Sequence, residues 1–124
     1  MINIFTNSLE TSERNKKEEL KTHYYKASFQ NILKAFNKIA EDEWMEVHEY
    51  NERDGEIYLV GDGYECIVTV TEISRYESGV DFKINYFSVL GFGRPHKLAV
   101  KLYDLLDKEL PFKGKELHIN GWEN

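Results

Sequence analysis

Apolar residues recur at helical spacing in two stretches of the chain. The first stretch follows Ser28, whose hydroxyl suits a helix N-cap because it can accept a hydrogen bond from a free amide of the first turn. The second follows Pro95, which suits a first helical turn, and it stops at Leu110 before Pro111. The three-and-four spacing predicts two amphipathic helices. Their apolar stripes are Phe29, Ile32, Leu33, Phe36, Ile39 and Ala40, and then Leu98, Ala99, Leu102, Leu105, Leu106 and Leu110.

Between these helices the apolar residues recur at every second position. Alternation of this kind is typical of a strand with one buried face, and it is clearest where Val80, Phe82 and Ile84 alternate with polar residues. Glycine-containing turns interrupt the pattern at 54–55, 61–63 and 78–79, as expected of hairpins. The pattern predicts an antiparallel meander with strands at 44–50, 56–60, 64–73 and 80–89.

The ends of the chain are harder to assign. A short aromatic segment, 20–26, predicts a strand that feeds the first helix. Residues 1–19 form an uncertain N-terminal arm that could hold a short strand or a solvated helical turn. The tail, 115–122, could add an edge strand or lie along the helices. We therefore predict one α+β domain over residues 20–124, preceded by this arm.

The predicted order is strand, helix, four antiparallel strands, helix. Such an order favours an α+β fold in which the helices pack on one face of the sheet. It resembles the layout shared by TATA-binding-protein-like and Bet v1-like helix-grip folds. The resemblance is one of layout alone and implies no function.

Composition narrows the class of protein. The chain has 124 residues, of which 41% are hydrophobic and 31% charged, a balance typical of a globular domain. Its single cysteine cannot form an intramolecular disulfide, and the first residues lack the layout of a secretory signal. No apolar run approaches the ~18 residues that a membrane span requires. These features predict a cytoplasmic protein that does not bind membranes.

Charge is segregated along the chain. Residues 41–72 contain eleven acidic side chains and one basic side chain, Arg53, whereas the flanking segments are rich in lysine. A dipolar charge distribution can steer association with a complementary partner. The formal net charge of −6 and the lack of a nucleic-acid-binding motif argue against a nucleic-acid partner.

Residues with catalytic or metal-binding potential are scattered. The histidines His23, His48, His96 and His118 have no zinc-site spacing, and no serine lies in a nucleophile elbow. Cys66 lies mid-strand among apolar residues, which predicts an inert core thiol. We predict no catalytic residue, no metal and no cofactor, and we favour a protein that is not an enzyme.

An anion site is one of two sharper hypotheses. The turn at residues 91–97 places basic residues beside the free amides of a helix start, which would suit a phosphate or a carboxylate. Any sharp strand-to-helix turn also needs glycine and proline, so a purely structural role is the alternative. The candidate residues are Gly91, Gly93, Arg94, His96 and Lys97.

An interface on the sheet is the other hypothesis. Aromatic and apolar residues fall among polar neighbours on the predicted strands, and such mixed surfaces suit protein interfaces. The alternative is that these residues only reflect β-propensity. The candidate interface residues are Trp44, His48, Tyr50, Phe87 and Val89.

Together these patterns favour a non-catalytic binding or interaction domain. It would pair through its sheet with a partner protein or a second copy, or hold a small apolar ligand between sheet and helices. The alternative is a small enzyme or an anion-binding protein that uses the turn at 91–97. Five aromatic residues could line an apolar cavity or simply fill the core. They are Phe36, Phe82, Tyr86, Phe92 and Tyr103.

Overall fold

The computed structural model describes residues 7–115 and has the predicted α+β class. Within that range two α-helices accompany one antiparallel sheet of seven strands. The elements are β1 (Ser8–Glu10), a short 3-10 helix (Glu18–Leu20), β2 (His23–Tyr25), α1 (Phe29–Asp42), β3 (Glu46–Asn51), β4 (Glu56–Gly61), β5 (Tyr64–Ser74), β6 (Glu77–Tyr86), α2 (Arg94–Glu109) and β7 (Phe112–Gly114).

Strand β6 is the centre of the sheet. The strand order is β3-β4-β5-β6-β2-β7, and β1 also pairs with β6. On one side β6 pairs with β5 along nearly its whole length. On the other side β2 pairs with residues 78–80 and β1 with residues 83–85, so two short strands share one edge of β6.

Local sequence accounts for both ends of the helices. The Ser28 hydroxyl accepts from the amide of Asn31 (3.2 Å), and the Asn31 side chain accepts from the Ser28 amide (3.1 Å), which completes a capping box. Helix α2 ends at Glu109, because Leu110 precedes Pro111 and takes an extended conformation. The predicted N-cap and the predicted stop are therefore confirmed.

The core lies between the helices and one face of the sheet. Cys66, Val68 and the alternating residues of β6 are buried there, as the period-two pattern predicts. The Phe36 and Phe82 rings meet edge to face at 6.1 Å, and the Phe82 and Tyr103 rings lie 4.6 Å apart. These three aromatic residues fill the space between sheet and helices, whereas Tyr86 is half-buried and Phe92 is exposed.

Several predicted boundaries differ from the structure. The last strand of the meander ends at Tyr86 instead of Val89, because its ladder with β5 stops at Tyr64 and its ladder with β1 stops at Ser8. Strands β1 and β7 add to the predicted order, so the helix-grip-like layout stays a prediction. The division into arm and domain also stays a prediction, although β1 and the loop after it contact β6. The predicted tail strand falls almost wholly outside the described residues.

No helix within residues 7–115 is long and apolar enough to cross a membrane.

Candidate functional site

Four large apolar side chains are exposed at one end of the sheet, where β3 begins and β6 ends. The exposed fractions are 92% for Trp44, 90% for Val89, 63% for Phe87 and 56% for Phe92. The ladders Glu46–Val60, Gly61–Tyr64 and Tyr64–Tyr86 place the start of β3 and the end of β6 at the same end of four adjacent strands. At ~4.8 Å per strand this end is about 14 Å wide. We call Trp44, Phe87, Val89 and Phe92 the apolar end.

Two members of the apolar end have an unusual backbone conformation. Trp44 has a φ of 57° and Phe92 a φ of 54°, and they are the only non-glycine residues with positive φ between residues 7 and 115. The left-handed region costs an L-residue about 1–2 kcal/mol and is a genuine outlier for a bulky side chain. Both residues therefore combine backbone strain with the exposure of an aromatic ring.

The turn that holds Trp44 is fixed by the end of α1. The amide of Met45 donates to the carbonyl of Ala40 (3.0 Å), as in the wrapped ending that usually places glycine one residue past the helix. The side chain of Glu43, the last residue before the turn, forms an ion pair with Lys101 of α2 at 2.5 Å. Trp44 thus occupies a defined position although its ring is almost fully exposed.

The loop that carries Phe87, Val89 and Phe92 is fixed by Arg94. Its Nε donates to the carbonyl of Gly91 (2.9 Å), and its terminal nitrogen contacts the carbonyl of Leu90 (3.0 Å) and the hydroxyl of Ser88 (2.5 Å). The guanidinium also lies 4.9 Å from the ring centre of Tyr86. These contacts direct Arg94 back onto its own loop.

The predicted anion residues are therefore only partly available. Arg94 bonds its own loop, and His96 Nε2 lies 3.1 Å from a carboxylate oxygen of Glu19. Gly93 is the helix N-cap with a φ of 76°, a conformation that suits glycine, and the amide of Lys97 donates to its carbonyl. Of the three predicted basic residues, Lys97 alone keeps an exposed side chain with no partner among residues 7–115. Anion binding at this turn stays a prediction.

The predicted interface residues separate into two groups. Trp44, Phe87 and Val89 lie at the apolar end. A β-bulge between Val47 and Glu49 shifts the register of β3, so that Tyr50 pairs with the buried Ile57 and its ring approaches Phe29 on the helix side. His48 instead packs edge to face against Tyr58, at 5.6 Å.

Tyr50 therefore points to the face opposite the one that strict alternation predicts, because a bulge reverses the parity of every later residue. Phe92 is absent from the predicted interface, although it is a functional candidate in the structure. A usable signal existed in the sequence, since an aromatic residue between two glycines has few packing partners of its own.

A buried histidine joins β2 to α2. His23 Nδ1 lies 2.9 Å from Asp107 Oδ1, and the Tyr25 hydroxyl donates to the same oxygen at 2.6 Å. The His23 ring stacks on Tyr103 at 3.7 Å, and the residue is only 4% exposed. Burial and the bond to Asp107 raise the pKa of Tyr25. This cluster has acid–base residues, but its contacts cross-link the core and leave no open approach to the imidazole from the described surface.

A second polar network lies on β6. The Thr11 and Thr22 hydroxyls each donate to Asp81 Oδ1 at 2.8 Å. The Thr11 backbone amide donates to the Phe82 carbonyl (2.9 Å), and its hydroxyl accepts from the Phe82 amide (2.8 Å). The hydroxyl of Tyr103, on α2, donates to the Val80 carbonyl at 2.7 Å and lies 2.9 Å from Thr11 Oγ1. Burial raises the pKa of Asp81, and the bonds from both threonines partly oppose that rise.

Other chemistry is sparse in the described part of the chain. No three His, Cys, Asp or Glu residues of 7–115 are grouped so that they could hold a metal ion. Cys66 is buried, as predicted, and burial raises the pKa of its thiol. His118 lies outside the described residues.

Comparison with protein-family models, with curated proteins and with solved structures finds no match for this chain.

Proposed function

We propose that this protein is a non-catalytic interaction domain that binds a partner protein through the apolar end. The observation that carries the proposal is the conformation of Trp44 and Phe92, which are exposed and have positive φ. Backbone strain of this kind persists where the surroundings enforce it, and it concentrates at functional sites. A role in the fold would not explain an exposed tryptophan at a position that favours glycine.

The size of the apolar end fits a protein interface. Aromatic side chains each present about 150–250 Å², so these four residues together expose about 600 Å². This apolar area is concentrated at one end of the sheet, and concentrated exposed apolar surface is a common feature of interaction sites. A standard interface buries about 800 Å² on each partner, so the apolar end could supply most of one.

Rigidity favours tight binding by these residues. The Ala40–Met45 bond fixes the turn at Trp44, and Arg94 fixes the loop at Phe92. Backbone that is held in place before binding loses little conformational entropy on association, so these contacts fix where each aromatic side chain starts. Tryptophan is among the residue types that most often dominate interface energies.

Charge around the apolar end indicates a partner different from the chain itself. Exposed carboxylates border Trp44 on α1, on β3 and in the β4–β5 turn. A two-fold pairing of identical ends would bring these acidic rims together, which is unfavourable. The better match is an apolar patch rimmed by lysine or arginine. The bordering residues are Glu41, Asp42, Glu46 and Asp62.

Site-specific photo-crosslinking tests the proposal. A benzoylphenylalanine placed at Phe92 in the intact chain should give one discrete adduct with another polypeptide on illumination in native cells. The same group placed at Asn37, on the exposed side of α1, should not. The double variant W44S/V89S should abolish the Phe92 adduct while its circular dichroism and melting temperature stay close to wild type.

Each other outcome contradicts the proposal. An adduct at twice the mass of the chain would show self-association. An adduct that survives W44S/V89S, or that forms equally from Asn37, would show that the apolar end does not recognise the captured protein. If Phe92 gives no adduct, no partner protein binds at the apolar end.

A further inference from the structure

The sheet face that the helices leave uncovered is strongly acidic. Residues that alternate with the buried ones on β3 to β6 and on β1 share this face, as their register shows. The buried partners, such as Ile57, Val68 and Phe82, fix which face is which. Six carboxylates lie on the uncovered face, which we call the acidic face: Glu10, Glu46, Glu49, Glu56, Glu65 and Asp81.

These carboxylates are poorly neutralised within the chain. Lys83 is the one lysine or arginine among the described strand residues of the acidic face, and it lies 3.7 Å from Glu10. The residues directly opposite the other acids on the neighbouring strands are not lysine or arginine, although such oppositely charged pairs would stabilise the sheet. They are neutral instead: Tyr58 opposes Glu49, Thr69 opposes Glu56 and Asp81, and Val60 opposes Glu65.

The acidic face is also concave. One depression of about 400 Å³ and a second of about 350 Å³ adjoin each other, because Glu56 and Ile67 line both. Tyr58 and Ile67 give the trough an apolar floor between its carboxylates. From β3 to β1 the trough crosses five strands, about 19 Å, which matches roughly six residues of extended chain.

We infer that the acidic face binds a lysine- or arginine-rich segment of a partner protein whose basic residues are interspersed with apolar ones. Among residues 7–115, Glu10 and Glu46 have basic partners in Lys83 and His48, and Glu65 and Asp81 accept only from uncharged hydroxyls. The basic side chains of the partner supply positive charge to the remaining acids of this face, and its apolar side chains cover Tyr58 and Ile67.

Glu46 borders both this face and the apolar end, but the lining of the trough includes neither Glu46 nor any residue of the apolar end. The inference does not depend on the function proposed there. Charge complementarity carries the inference, because this face has six acidic side chains and one lysine.

Fluorescence anisotropy with labelled peptides tests the inference. The probe is a peptide of about twelve residues with the repeat Lys-Lys-Val, and a Lys-Lys-Gly repeat is its control. Wild-type protein at about 50 mM salt should bind the first peptide several-fold more tightly than the second, and binding should weaken as salt is added. The triple variant E49Q/E56Q/E65Q should raise the Kd at least about tenfold. E65Q keeps an oxygen that can accept from the Tyr58 hydroxyl, which donates to Glu65 at 2.7 Å.

A matched variant separates a site from net charge. E18Q/E72Q/D104N removes the same three charges from exposed positions elsewhere and should change the Kd less than about twofold. An equal loss in both triple variants would overturn the inference, because long-range attraction alone would explain binding. Abolition by W44S/V89S would place the peptide at the apolar end and would equally overturn it. Equal affinity for the glycine peptide would show that Tyr58 and Ile67 do not contribute to binding. No binding of either peptide would show that the acidic face is not a binding site for such segments.

Discussion

At the scale of single residues, the apolar end combines two unfavourable features that usually occur apart. An aromatic ring exposed to water forgoes the burial that stabilises most aromatic residues, and a positive φ adds backbone strain. Trp44 has both, at an exposed fraction of 92%, and Phe92 has both with partial cover from Arg94. Selection for stability alone would favour glycine at either position, and the binding role that we propose would give a reason for an aromatic residue instead.

Two substitutions at Trp44 test this reading of the backbone. W44G removes the ring and relieves the left-handed strain, whereas W44A removes the ring and keeps a Cβ. We expect W44G to have a free energy of unfolding about 1 kcal/mol higher than W44A and no lower than wild type, because the exposed ring contributes little packing. Urea unfolding followed by circular dichroism measures all three proteins. If W44A equals or exceeds W44G in stability, residue 44 does not hold a positive φ in solution.

The amino-acid sequence did not predict the positive φ of Trp44 and Phe92. Alternation put Trp44, Phe87 and Val89 among candidate interface residues, because aromatic and apolar residues there fall among polar neighbours on the predicted strands. It placed Trp44 inside a strand, however, since no local rule assigns a left-handed conformation to tryptophan. The wrapped helix ending is imposed by the Ala40–Met45 hydrogen bond, a contact that only the folded backbone reveals.

At the scale of elements, the sequence predicts most where a local signal has a physical mechanism. Ser28 and Asn31 define the start of α1, and Pro111 defines the end of α2, so both boundaries were predictable. Alternation and turn residues predicted the strands of the meander and its first two turns. The third predicted turn, at 78–79, is wrong, because Ser78 and Gly79 pair with both β5 and β2 inside β6 and the chain turns at 75–76 instead. The bulge in β3 was not predictable, because nothing at Val47 to Glu49 breaks the alternating pattern, and it moved Tyr50 to the other face.

Two turn glycines provide a matched test of the meander. Both have positive φ, 70° at Gly55 and 79° at Gly63, so alanine should cost each about 1 kcal/mol. A Cβ at Gly55 would also lie 2.3 Å from the carbonyl oxygen of Val70, whereas a Cβ at Gly63 would meet nothing within 4 Å. G55A should therefore lose at least about 1 kcal/mol more stability than G63A in urea unfolding, since its clash is with backbone. Equal losses would show that β5 does not approach the first turn this closely.

At the scale of the whole molecule, the N-terminal segment closes the sheet. Strands β2 and β1 leave a gap on the edge of β6 beside Phe82. Thr11 fills it, because its amide donates to the Phe82 carbonyl and its hydroxyl accepts from the Phe82 amide. The same hydroxyl contacts Asp81 on the uncovered side and Tyr103 of α2 on the helix side. The sequence could not assign residues 1–19 because no local pattern reveals their contacts. Thr11, for example, contacts the side chains of residues 70 and 92 positions further along the chain.

Asp81 makes this junction sensitive to pH. Burial raises its pKa in the folded protein above the unfolded value of about 3.9, so its neutral form is the one that folding favours. The stability from this group is complete below that unfolded value and is lost as pH rises through the raised folded pKa. The side chain of D81N stays neutral at every pH. Its free energy of unfolding should therefore increase relative to that of wild type as pH rises from about 4 to 7. Denaturant unfolding across this range measures the difference. A D81N difference that stays constant or shrinks with rising pH would mean that the threonine bonds outweigh burial at this junction.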